Sequence, residues 1–261
     1  MGFFIKNMSL LTLTAVLGLA IFAPNAWALL TTQVNHEDIQ INLNYHGSSA
    51  IISGKSDSGV DLIVKIYSED GQEKLMKKGS VAGIIWMNVG ELTFDKTPEL
   101  YYLRSTRKPE EILGPQQLLD YGIGYDALAR HAEIKPAPGP DEKRVLFDDF
   151  IKYKESRKLY SQSVGDIDAG PENGGQSYST VFAWSDQVPP GRYRVAVYAV
   201  RNGQVVATAD SQVIVEETGV VKTLADMAQE NGALYGTAAI GVALTAGFGV
   251  GMVFRKGGGA H

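Results

Sequence analysis

The sequence predicts a mainly β chain: a β-sandwich interrupted by helices and followed by one helix long enough to cross a membrane. Three observations predict it. Short runs alternate apolar and polar residues with period two on both sides of a central stretch that lacks this pattern. Asn202-Gly203 joins two long alternating runs, and a type I′ hairpin turn favours that pair because both central residues need positive φ. Leu234 to Phe254 is an uncharged run of about 21 residues, close to the ~20 that span a bilayer.

Residues 1–28 have the three parts of a secretory signal: Lys6, an apolar stretch from Met8 to Phe22, and the small-x-small Ala26-Trp27-Ala28. Cleavage there starts the mature chain at Leu29, outside the cytoplasm. The first strand places Ile39, Ile41, Leu43 and Tyr45 on one face and Asp38, Gln40, Asn42 and Asn44 on the other. Shorter β-runs follow at Ala50 to Ser53, Asp61 to Tyr67, Ile84 to Asn88, Glu91 to Phe94 and Leu100 to Leu103, with turns at Asp57-Ser58-Gly59 and Glu69-Asp70-Gly71.

A helical insertion is predicted from about 107 to 162. Pro109-Glu110-Glu111 opens a helix with acids in its first turn, where the dipole favours them. Pro115 opens a second, through Leu119. Pro136 to Pro140 is a stiff linker. Asp141 is predicted to cap the longest helix of the outer domain, reaching about Tyr160. Leu146, Phe147, Phe150, Ile151, Tyr153 and Tyr160 form its apolar stripe, and Lys152, Lys154, Glu155 and Lys158 its wet side. Gly165 to Ser177 reads as a Gly-rich acidic loop.

Strands return at Tyr178 to Trp184, Arg192 to Arg201 and Gln204 to Glu216, the last two after the turn Pro189-Pro190-Gly191. Many immunoglobulin-like sandwiches finish this way, so residues 29–217 are predicted to form one immunoglobulin-like β-sandwich with the insertion inside it. Val220, Val221, Leu224, Met227 and Ala228 recur at helical spacing, which predicts an amphipathic juxtamembrane helix over 218–232. The transmembrane helix covers 233–254. Arg255 and Lys256 act as its stop, with the 255–261 tail in the cytoplasm.

The chain has 24 basic and 29 acidic residues; three of the basic ones, Lys6, Arg255 and Lys256, lie outside the outer domain, leaving it a net charge of about −8. That argues against nucleic acid and against anionic lipid headgroups as partners. There is no cysteine, hence no disulfide and no thiolate metal site.

Several segments carry a resemblance. They are Lys77 to Asn88, Tyr101 to Thr106, Gly122 to Leu128, Pro190 to Val195, and the end from Leu234 to Lys256. In order and spacing they resemble the putative transmembrane protein family first described from alphaproteobacteria, over most of the mature chain. The resemblance implies a bacterial cytoplasmic-membrane protein with a large outer domain. It carries over no catalytic residue.

Chemistry-bearing motifs are sparse. His36, His46, His131 and His261 are scattered and lack metal-ligand spacing. Asp166, Asp168, Glu172 and Asn173 crowd one loop and are the candidate calcium ligands, at a spacing unlike an EF-hand. Gly122-Ile123-Gly124 lacks the third glycine and the frame of a dinucleotide site. Ser48, Ser49 and Ser53 lack a nucleophile elbow. No catalytic residue and no cofactor are predicted. Trp86, Trp184, Tyr193 and Tyr198 are expected in the core, and Tyr101, Tyr102, Tyr121 and Tyr125 as an exposed contact patch.

The membrane helix repeats small residues. Ala239, Ala243, Gly247 and Gly251 share one face; Thr237, Gly241, Thr245 and Gly249 share the next. Helices in lipid associate by close backbone approach, which small residues permit. The expected function is therefore an accessory subunit that joins a membrane protein or complex, such as a transporter or respiratory assembly, or a second copy of itself. The alternatives are a periplasmic ligand- or calcium-binding module and a periplasmic hydrolase working through two spatially paired acids.

Overall fold

The computed structural model describes residues 29–255 apart from 36–37, 43, 82–84 and 173. The predicted signal peptide and Lys256 lie outside the described residues. The chain is mainly β. Its strands are β1 (Gln33–Val34), β2 (Asp38–Ile41), β3 (Ser48–Ser56), β4 (Asp61–Tyr67), β5 (Asp70–Val81), β6 (Ile85–Pro98), β7 (Tyr101–Ser105), β8 (Glu133–Lys135), β9 (Tyr160–Val164), β10 (Asp168–Glu172), β11 (Gly175–Trp184), β12 (Gly191–Arg201) and β13 (Gln204–Glu217). Helices α1 (Pro109–Ile112), α2 (Pro115–Asp120), α3 (Tyr125–His131) and α4 (Pro140–Ser156) lie between β7 and β9. Helices α5 (Gly219–Glu230) and α6 (Gly232–Arg255) end the chain.

Two sheets face each other. One has the order β1-β3-β11-β10, the other β2-β13-β12-β4-β7-β9. In the larger sheet β2 runs parallel to β13 and β9 parallel to β7; its other pairings are antiparallel. Aromatic side chains close the space between the sheets. Trp184 of β11 meets Tyr193 of β12 edge-on at 5.3 Å, and Tyr102 of β7 stacks on Phe182 at 6.0 Å.

The larger sheet is covered on both faces, and its sequence shows why. Central strand β4 reads Asp-Leu-Ile-Val-Lys-Ile-Tyr, apolar at successive positions, and Leu62 through Ile66 are all buried. Such continuous runs suit a strand with no wet face. The insertion packs on the second face. Tyr101 of β7 lies 6.1 Å from Tyr125 of α3 and 5.9 Å from Tyr160 of β9.

A third sheet, β5-β6-β8, joins the hairpin between β4 and β7 to a short strand of the insertion. Phe94 of β6 stacks on Phe150 of α4 at 4.4 Å, joining hairpin to helix. The two short runs expected at 84–88 and 91–94 both belong to the single 14-residue strand β6, and its 12-residue partner β5 was not expected. Glu73, Lys74, Lys77 and Lys78 mask the apolar alternation of β5, and bulges at Gly71/Gln72 and Lys77/Lys78 break its period.

Three further expectations are corrected. The acidic loop holds β10, which pairs with β11 around the positive φ of Gly174. Helix α4 stops at Ser156 and Tyr160 belongs to β9; Gly139 stands at the N-cap position, and Asp141 sits in the first turn. Helix α3 and strand β8 were not foreseen, being too short to show a period.

Phe150→Ala removes the ring that seats α4 on β6. The outer domain should lose about 3–5 kcal/mol, read as a lower urea midpoint of the full chain in mild detergent.

Candidate functional site

Helix α6 is apolar over 21 residues, Gly232–Met252, and none of that stretch is buried against the rest of the described chain. Leu234, Ile240, Val242, Leu244, Phe248, Val250 and Met252 are all exposed. Its hydroxyls need no water. Thr237 Oγ1 donates to the carbonyls of Ala233 at 3.1 Å and Leu234 at 2.9 Å, and Thr245 Oγ1 to those of Gly241 at 2.9 Å and Val242 at 3.0 Å. A surface that is apolar all round with its backbone groups bonded internally suits hydrocarbon.

Ala239, Ala243, Gly247 and Gly251 lie along α6 at four-residue spacing, and a Cβ added at Gly247 or Gly251 would meet nothing within 4 Å. The chain itself leaves that face open. Arg255 ends the helix. Helix α5 precedes it with Val220 and Leu224 exposed.

The tyrosine patch is corrected. Tyr101 is 1% exposed and Tyr102 3%, one on each covered face of β7. Tyr101 OH accepts the Gly124 N–H at 2.7 Å and donates to Gly122 O at 3.1 Å; Tyr102 OH donates to Lys158 O at 2.6 Å. Burial raises the pKa of both phenols, that of Tyr102 to about 12. Tyr121 and Tyr125 are half-buried: Tyr121 packs on Tyr198 at 5.1 Å, and Tyr125 OH donates to Glu155 Oε1 at 2.9 Å. These side chains fasten the insertion to the sheet.

The candidate calcium carboxylates meet cations. Glu172 Oε1 lies 2.6 Å from Lys55 Nζ, and Asp166 Oδ2 lies 3.4 Å from Arg104 Nη1 and accepts from Ser163. Asp168 is exposed on β10, and Asn173 lies outside the described residues. Among the described residues no three His, Asp or Glu side chains converge on a point. His46 Nδ1 lies 2.6 Å from Asn44 O, and His131 Nε2 2.6 Å from Asp70 Oδ2. His36 and His261 lie outside the described residues.

Two buried lysines were misread or missed. Lys154, predicted on the wet side of α4, is 1% exposed and lies 2.8 Å from Glu73 Oε2 of β5, between the rings of Phe150 and Tyr160. Lys65, inside the apolar run of β4, donates to Tyr121 O at 2.5 Å and sits 4.3 Å from the Tyr67 ring centre. Burial, with the nearby Arg194 charge, lowers its pKa to about 8. A lone lysine in an apolar strand was the signal available for it.

Concavities flank these elements. A cleft of about 800 Å³ opens between β7 and β9 on one side and the start of β3 and end of β11 on the other, lined by His46, Tyr102, Arg104, Glu155, Phe182 and Trp184. Arg104 Nε and Trp184 Nε1 find no acceptor within the protein.

Residues 29–256 match the model of a family described as "Putative transmembrane protein (Alph_Pro_TM)". No curated protein matches the chain.

Lys65 gives a pH signature. Its folded pKa of about 8 lies below the ordinary 10.5, so between those values the unfolded chain binds more protons than the folded one. Stability from this group therefore rises as pH climbs through that window and is lost as pH falls. Relative to Lys65→Met, wild type should gain up to about 3 kcal/mol across it, at ~1.36 kcal/mol per pKa unit. Urea midpoints of the two chains below and above the window measure this, and a pH-independent difference would sink it.

Proposed function

We propose, from the premise that the chain belongs to the putative transmembrane protein family (Alph_Pro_TM), a membrane-anchored interaction subunit. Residues 1–28 export it, residues 29–217 form the periplasmic domain, 233–254 cross the cytoplasmic membrane of a bacterium, and 255–261 stay inside. The basic pair Arg255-Lys256 after the span supports that orientation.

The observation that carries the reading is α6: a helix apolar on every side, attached to a domain whose own core is complete without it. Its partner in lipid is another membrane protein or complex, a transporter or respiratory assembly; a homo-oligomer is the alternative. The open small-residue face supports association, since lipid supplies little other drive between helices.

We read the outer domain as immunoglobulin-like. The strand orders β1-β3-β11-β10 and β13-β12-β4-β7 follow the A-B-E-D and G-F-C-C′ plan of such sandwiches. Tyr193 near the start of β12 donates to Pro189 O at 2.6 Å, the bond of a tyrosine corner. Sandwiches of this kind present edges and end loops to partners.

A second reading, a periplasmic ligand module, has one observation in its favour: the cleft that holds Arg104 and Trp184, with donors lacking protein acceptors. A rise in melting temperature with added small anions or calcium would support it by mass action.

Gentle detergent extraction and sizing test the leading reading. Wild type should elute in a complex, and Gly247→Leu with Gly251→Leu should shift it to the monomer position with the outer domain still folded. A wild-type chain that is monomeric and partner-free would overturn it.

A further inference from the structure

Strand β13 pairs with β12 over residues 204–215, but among the described residues its other edge is paired only at its end, where β2 takes residues 214–217. Ahead of β2 the chain lies in the smaller sheet, where β1 pairs with β3. At the far end the register shift at Ala199/Val200 leaves Val206 unmatched, and a bulge of this kind ends regular pairing. Between these limits, residues 207–211 form a regular strand with one edge open among the described residues.

A hydrogen bond at the β2 end tells which residues face that edge. Thr218 N–H donates to Ile41 O at 2.8 Å, so Thr218 turns outward. Successive residues of a strand turn their main-chain groups to opposite edges. Thr208 and Asp210 therefore each hold an N–H and a C=O toward the open side, and Ala207, Ala209 and Ser211 bond to β12. The two outward residues are exposed and the other three half-buried. The side chains of those three share the face of Val213, whose partner Tyr193 reaches Trp184 of the smaller sheet.

Proteins blunt open edges with short strands, lysine, proline or bulges. Strands β1 and β8 have two and three residues, β2 has four, and β9 and β10 have five, with Pro171 inside β10. Strand β5 is longer and carries Lys74, Lys77, Lys78 and two bulges. Residues 207–213 contain no proline and no lysine, and Asp210 is their one charge.

An N–H and C=O row of this kind is matched in series by another extended chain, so the occupant is a strand. The flanking side chains set its chemistry. Ala207, Ala209 and Ser211 are small, and alternate apolar side chains of an added strand would cover them. Asp210 favours Lys or Arg beside it. A second copy fits less well. Edge-to-edge pairing about a two-fold axis runs the two β13 strands antiparallel, which aims the α5 and α6 that follow them in opposite directions, while one bilayer must receive both.

We infer that residues 207–211 of β13 are the docking edge for an extended segment of the partner that α6 joins, a segment alternating apolar residues and bearing one basic residue. The inference rests on the interaction-subunit reading and names the contact made outside the membrane.

Residue-resolved hydrogen exchange on the full-length chain tests it. The complex extracted in mild detergent is compared with the monomer that Gly247→Leu with Gly251→Leu releases. The amides of Thr208 and Asp210 should exchange fast in the monomer and at least about tenfold more slowly in the complex, while those of Ala207, Ala209 and Ser211 stay slow in both. Both outward amides fast in a complex that still elutes intact overturn the inference alone. Outward amides already slow in the monomer overturn the open edge. Protection in a complex made only of this chain overturns the choice of occupant. A wild-type chain free of any partner overturns the interaction-subunit reading itself. Thr208→Pro removes an outward N–H and leaves the ladder to β12 whole, so it should lower the share of chain in the complex about tenfold, and Thr208→Val should not. A complex indifferent to the proline counts against the inference. Asp210→Asn should weaken the complex about threefold, and no change would overturn the basic residue assigned to the partner.

Discussion

The return of the insertion to the larger sheet turns on Tyr160. The insertion leaves the larger sheet after β7 and comes back as β9, parallel to β7, with Tyr160 opposite Tyr101. Its ring then meets Tyr101, Tyr125 and Phe150, and its hydroxyl donates to Pro98 O at 2.6 Å. One residue thus touches β7, α3, α4 and the end of β6. Lys154 lies above the same ring and carries its charge to Glu73. Breaking such a buried pair leaves one charge stranded in the core, so the contact fixes where α4 sits on β5 more than it adds net stability. In a cysteine-free domain this packing, with the hydrogen bonds of Lys65, Tyr101 and Tyr102, fastens a long excursion to its sandwich.

Helix α6 sets a second constraint of a different kind. The sandwich and insertion bury their apolar surface on each other, and α6 buries none of its own. Exposed in water, an apolar surface of that size would drive aggregation. Lipid removes the conflict, and the internally bonded threonines fit it.

Much of this was legible in the sequence, and the failures share a cause. The β12–β13 hairpin was plain, because Asn202 and Gly203 both adopt the positive φ their turn needs. The length and composition of α6 were equally plain. Tyr101 and Tyr102 were misjudged because neighbours on a strand point opposite ways, so a sandwich covered on one face buries only one of them. The insertion covers the other face, and that cover is tertiary. Lys154 was placed in water for the same reason: its position on α4 faces Glu73 of a strand whose charges hid it. The parallel pairings β2 with β13 and β7 with β9 join residues far apart in the chain and leave no local mark. The carboxylates of residues 166–172 looked like a ligand cluster by proximity in sequence, whereas Lys55 and Arg104, distant in the chain, meet two of them in space.

The central claim is that α6 crosses the membrane with the β-domain outside. Single cysteines at Val181 and Gly258, probed with a membrane-impermeant maleimide in sealed right-side-out vesicles, test it most directly. The account predicts that the cysteine at 181 reacts at once and the one at 258 reacts only after the vesicles are opened. Equal reaction at both sites before opening would contradict it.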